Sequence, residues 1–91
     1  MTNHLWTLEF SDEALKQLKK LDKQISAKIV AFVKERISGL KDPRTLGKPL
    51  TGNLATYWRY RVGDYRVVCQ INDQKILITV VKIGHRKEIY D

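Results

Sequence analysis

The hydrophobic pattern of the chain changes period twice. From Leu5 to Phe10 the apolar positions partly alternate, with Trp6, Leu8 and Phe10 on one side, which predicts a first strand. Ser11 then stands where a helix N-cap belongs, followed by Asp12 and Glu13 where the helix dipole favours negative charge. Ala14, Leu18, Leu21 and Ile25 continue at helical spacing, joined by Leu15. A second helical stripe carries Ile25, Ile29, Phe32, Val33, Ile37 and Leu40, and Gly39 is placed to end it. Asp22 is positioned to break the two into a helical hairpin.

Residues 41–53, KDPRTLGKPLTGN, hold both prolines and two of the five glycines, and read as a loop. Three strand-like runs follow: Leu54 to Val62, Tyr65 to Asn72 and Lys75 to Ile83. Gly63-Asp64 and Asp73-Gln74 supply the tight turns between them. The order β-α-α-β-β-β predicts an α+β fold, a helical hairpin packed on a small, mainly antiparallel sheet. No repeat, low-complexity tract or linker interrupts the 91 residues, so one domain covering 1–91 is expected.

Charge adds a partner class. Lys and Arg outnumber Asp and Glu by 17 to 10, a net +7, which favours a polyanion such as nucleic acid, an acidic protein or an anionic membrane surface. The run from Ile76 to Val81, apolar apart from Thr79, is too short to span a bilayer, and MTNHLWTLEF lacks the basic start and apolar stretch of a secretory signal. Cys69 is the single cysteine, so no internal disulfide forms, and a reducing cytoplasm is the expected compartment. Lys16, Lys19, Lys20, Lys23, Lys28, Lys34 and Arg36 lie off the apolar stripe and read as a solvated helix surface.

Several kinds of chemistry are unsupported. There are no paired cysteines and no HExxH spacing, and His4 and His85 are the only imidazoles, so neither a metal nor a cofactor is expected. GKPLTG lacks the spacing of a Walker motif and reads better as a rigid connection. Cys69 keeps apolar company with Val67 and Ile71, which predicts a buried, inert thiol.

The stretch WRYRVGDYRVV is different. Side chains two apart on a strand share a face, so Arg59 and Arg61 project together while Trp58, Tyr60 and Val62 turn toward the helices. The turn at Gly63-Asp64 brings Arg66 back beside that pair, and Asp64 is the sole acid of the hairpin's outer face. Solubility alone explains one or two such arginines. It does not explain the choice of arginine where the helices prefer lysine. A planar guanidinium matches phosphate bidentately and stays charged at any relevant pH, so phosphate binding is the stronger reading. Beyond the last strand the tail reads GHRKEIYD, with His85, Arg86 and Tyr90 close together.

These residues resemble a family. YWRYRVGDYRVVCQI followed by KIGHRKEIYD is similar to the RelE-type toxins of the RelE/ParE toxin–antitoxin superfamily, and the likeness extends to FSDEALKQLKKLD and LGKPLTGNL. The resemblance implies a metal-independent, ribosome-dependent endoribonuclease that cuts messenger RNA in the A site. The ribose 2′-hydroxyl would be the nucleophile, and the ends would be a 2′,3′-cyclic phosphate and a 5′-hydroxyl. It implies that Arg66 stabilises the phosphorane, Arg86 contacts phosphate and assists the leaving group, and Tyr90 is the base, with His85 in reserve. Neighbouring guanidiniums would lower the phenol from its usual ~10. Arg59 and Arg61 fall where relatives hold RNA, and Lys48 is counted with them. Here the chain departs from well-known RelE members, which have lysines at the positions of Arg59 and Arg61, and the step from Arg86 to Tyr90 is shorter than in some members. A cognate antitoxin is the implied partner, with the ribosome and message, no membrane, and operator DNA reached only through the antitoxin complex. Two other functions fit the same chain: a ParE-type gyrase poison and a non-catalytic basic binding module.

Overall fold

A computed structural model describes residues 6–50 and 57–87. Strand β1 (Thr7–Phe10) leads into helix α1 (Asp12–Lys20), then α2 (Lys23–Ala31), which continues through a π-helical turn at Phe32–Ile37. A 3-10 turn at Pro43–Leu46 precedes the two-residue β2 (Lys48–Pro49), and β3 (Tyr57–Val62), β4 (Tyr65–Asn72) and β5 (Leu77–His85) complete the set. The sheet order is β1-β5-β4-β3-β2, and among the described residues the β1–β5 pair is parallel and the other pairs are antiparallel. The expected α+β architecture is therefore found, with one short extra strand inside the segment read as a loop. The expected start of the last strand, Lys75, belongs to a turn instead, because Ile76 takes a left-handed φ of 50° and delays pairing until Leu77. Leu5 and Leu54–Thr56, which the sequence assigned to strands, lie outside the described residues.

The helix boundaries follow from the caps. Ser11 accepts the Ala14 amide at 3.1 Å, which satisfies one of the orphan donors of α1. Asp22 accepts the Gln24 amide at 3.0 Å and starts α2 one residue after Leu21 ends α1. The helices bury Ala14, Leu18, Ile29, Val33 and Ile37 against Tyr60, Val67, Cys69, Ile71, Ile78, Val80 and Ile83 of the sheet. Fully buried residues such as Ile78 carry most of the hydrophobic stabilisation, and trimming one to alanine costs roughly 2–5 kcal/mol.

A bulge in β5 determines which side chains face outward. Ile78 and Val80 point into the core, and strict alternation would send Lys82 after them. Instead Val68 pairs with Lys82 and Cys69 with Val80, so Val81 is inserted between the two pairs. The phase reverses, and Ile83 enters the core while Lys82 and Gly84 turn outward. The start of α1 locks this irregularity: the Ser11 amide donates to Val80 O at 2.8 Å, and its hydroxyl donates to Val81 O at 3.0 Å. Gln17 Oε1 then accepts the Ile83 amide at 2.6 Å, past the point where β1 has ended.

Candidate functional site: a basic face on the sheet

The outer face of the sheet is assembled in rows by the strand register. One row runs Lys48, Arg59, Val68, Lys82; the next runs Arg61, Arg66, Gly84. Three strands and a two-residue edge thus place five cations on one surface. The two-residue β2 is what brings Lys48 beside Arg59, and Leu46, Lys48, Arg59 and Arg61 line a cleft of about 200 Å³. Glu9 is the acid that shares this surface, on β1 at the opposite edge.

Arg66 is unusual among these cations because it is only 9 % exposed. One terminal nitrogen donates to Gly63 O at 3.2 Å and Tyr65 O at 3.1 Å, pinning the guanidinium to its own hairpin. Neither Arg61 nor Arg66 has a carboxylate partner among the described residues. No buried side-chain nitrogen there lacks a hydrogen bond, so the rest of the Arg66 guanidinium still reaches the surface. A pinned, half-used guanidinium without an acid is arranged to receive an anion.

The tail leaves from the same end. The Arg86 amide donates to Asp64 O at 2.7 Å, so Arg66 and Arg86 are both tied to the Gly63-Asp64 turn, and the Arg86 side chain is exposed. His85 falls on the other side. It pairs with Tyr65 across the ladder, their rings meeting edge-on at 5.5 Å, and its Nδ1 accepts the Lys87 amide at 3.2 Å. The structure thus brings Lys48, Arg59, Arg61 and Arg66 together, puts Arg86 at the margin, and turns His85 toward the helix side. Tyr90 lies outside the described residues.

Neighbouring groups serve as scaffold. Tyr60 is buried, and its hydroxyl donates to Pro43 O at 2.6 Å. Burial pushes that phenol far above its usual range. Its ring passes so close to Gly47 that a Cβ there would sit 2.8 Å from it, which accounts for the glycine in LGKPLTG without a phosphate. Arg44, not singled out from sequence, pairs with Asp73 at 2.6 Å and Asp42 at 3.3 Å and lies 5.9 Å from the Trp58 ring. The bond to Asp73 raises the pKa of Arg44 further, and it ties the loop that delivers Lys48 to the turn after β4. Cys69 is fully buried, and desolvation pushes its thiol well up, as an inert core residue requires. Among the described residues no helix is long and apolar enough to cross a membrane.

The chain is similar to known proteins over most of its length. Residues 8–90 match the family described as ParE toxin of type II toxin-antitoxin system, parDE. Toxin RelG of Mycobacterium tuberculosis is 33% identical over 85 residues, covering 93% of this chain and 95% of the relative. The mRNA interferase toxin RelE of Escherichia coli is 30% identical over 86 residues, covering 91% and 87%. Among solved structures, the RelBE2 toxin–antitoxin complex from Mycobacterium tuberculosis superposes with a TM-score of 0.81 at 32% identity, over 89% of this chain and 91% of that one. The chain belongs to the RelE/ParE superfamily of toxins from type II toxin–antitoxin systems, and within it is of the RelE type.

Proposed function

We propose that this protein is a ribosome-dependent endoribonuclease that halts translation by cutting messenger RNA, held in check by a cognate antitoxin. The observation that carries this reading is Arg66, a largely buried arginine without a carboxylate among the described residues, pinned beside Arg61 with part of its guanidinium opening onto a cationic face. The names of the relatives support it, since an Escherichia coli homologue is an mRNA interferase and the Mycobacterium tuberculosis homologue is solved with its antitoxin.

In the proposed reaction the ribose 2′-oxygen bonds to phosphorus and the bond from phosphorus to the 5′-oxygen breaks. Tyr90 takes the 2′-hydroxyl proton, and a proton reaches the leaving 5′-oxygen with help from Arg86. Arg66 faces the non-bridging oxygens, where charge grows most in the phosphorane, and a preorganised cation there lowers the barrier more than it tightens binding. Lys48, Arg59 and Arg61 hold the adjoining phosphates. The ribosome supplies orientation. His85 takes the base role only if its ring leaves Tyr65. The fold is a single toxin domain over 1–91 that works in the cytoplasm.

The match to the ParE-toxin family favours gyrase inhibition as the second reading. Pulse labelling after induction without antitoxin separates the two. Amino-acid incorporation falls before thymidine incorporation if the nuclease reading holds. An early fall in thymidine incorporation with DNA breaks supports the gyrase reading instead.

A further inference from the structure

The basic rows of the outer face end abruptly at a row of another character. Directly beyond Arg59, on the same side of β3, stands Tyr57, and its ladder partner on β4 is Gln70, followed by Thr79 on β5. The Tyr57 ring is half-buried and Gln70 is exposed. We infer that Tyr57 and Gln70 form a base-reading position: the ring stacks on the nucleobase next to the clamped phosphate, and the Gln70 amide reads that base's edge. The inference rests on the nuclease reading and deepens it, since it assigns where the cut site's base preference is decided.

The geometry carries it in three ways. Residues two apart on a strand are separated by roughly 7 Å, so a strand of RNA with its phosphate at Arg59 brings a neighbouring base over Tyr57. An aromatic ring beside a row of cations is the arrangement by which single-stranded nucleic acid is held, phosphates on the charges and bases on the ring. The Gln70 side chain offers one donor and one acceptor together, the pair that matches the N6 and N7 groups of adenine. A purine, adenine first, is therefore the preferred base. A purely electrostatic surface needs neither residue.

The test uses ribosomes carrying a message library randomised at the A-site codon, with single-turnover cleavage read by sequencing. Wild-type protein favours a purine at one codon position. Tyr57→Phe keeps that preference, whereas Tyr57→Ala lowers the rate on favoured codons by roughly five- to a hundredfold and flattens the distribution. Gln70→Leu, at an exposed site, lowers the rate on adenine codons toward that on the others, so the discrimination between adenine and the other bases is lost. Wild-type cleavage with the same base distribution in Tyr57→Ala and Gln70→Leu overturns the inference and leaves the nuclease reading standing. Failure of the wild-type protein to cut any codon overturns the nuclease reading, and the base-reading position falls with it.

Discussion

Arg61 and Arg66 are direct partners across the β3–β4 ladder, two like charges side by side with no carboxylate between them among the described residues. Like charges directly opposite on a sheet work against folding, so this pairing is retained at a cost in stability. Replacing Arg61 with glutamine removes the repulsion and keeps the long stem. Chemical denaturation is expected to show Arg61→Gln more stable by roughly 0.2–1 kcal/mol, and the gain shrinks at high salt as screening weakens the repulsion in the wild type. The same variant is expected to be less toxic.

In the proposed reading the cations of the Lys48–Arg59 row act through phosphate attraction. Lys48→Ala and Arg59→Ala should each weaken association with ribosome–message complexes. Each should also lower the slope of log affinity against log salt by about 0.7 for every phosphate the variant no longer neutralises. Filter binding across a salt series checks this. Equal slopes in wild type and variants would remove these residues from the RNA path.

Much of this arrangement was legible in the residues alone. Ser11 as a cap, Asp22 as the break between helices, the Gly63-Asp64 turn and the outward pair Arg59 and Arg61 all follow from local rules of capping and alternation. What escaped depends on partners distant in sequence. Lys82 joins the basic face only because Val81 bulges, and the bulge is secured by Ser11, 70 residues away in the chain. Lys48 gains a strand partner through two residues between a proline turn and the 51–56 segment, too few for a periodic signal. Arg44 is fixed by Asp73 across 29 residues, and nothing in KDPRTLG announces that partner. The π-helical turn at Phe32–Ile37 likewise has no signature in a stripe that reads as ordinary α-helix.

The Tyr60 hydroxyl is expected to matter for the scaffold rather than for RNA. Tyr60→Phe leaves Pro43 O without its donor in a buried place and should cost roughly 1–3 kcal/mol in unfolding free energy. Gly47→Ala drives a methyl into the Tyr60 ring and should also destabilise the fold. Thermal denaturation of both variants checks the pair, and unchanged midpoints would mean the loop is not held by this packing.

Cys69 gives a pH dependence of known sign. Burial raises its pKa in the folded state, so above the free-thiol value of about 8.5 the unfolded chain releases a proton that the folded chain keeps. The unfolded state then binds fewer protons, and stability declines as pH rises. Between about pH 9 and 10 this one thiol contributes a loss approaching ~1.4 kcal/mol per pH unit. Cys69→Val is expected to lack that component, giving a shallower decline than wild type in denaturant titrations at the two pH values.

Stabilisation by Arg66 of the transition state of RNA cleavage within the ribosome is the step on which the proposed function turns. It is tested most directly by single-turnover cleavage of a defined message on purified ribosomes with an empty A site, comparing wild type with Arg66→Ala. Wild type is expected to yield 2′,3′-cyclic phosphate and 5′-hydroxyl ends when ribosomes are present and little or no product on naked RNA. Arg66→Ala should be slower by roughly a hundred- to a thousandfold while ribosome association falls far less. Equal rates for the two proteins, or efficient wild-type cutting of free RNA, would contradict the account.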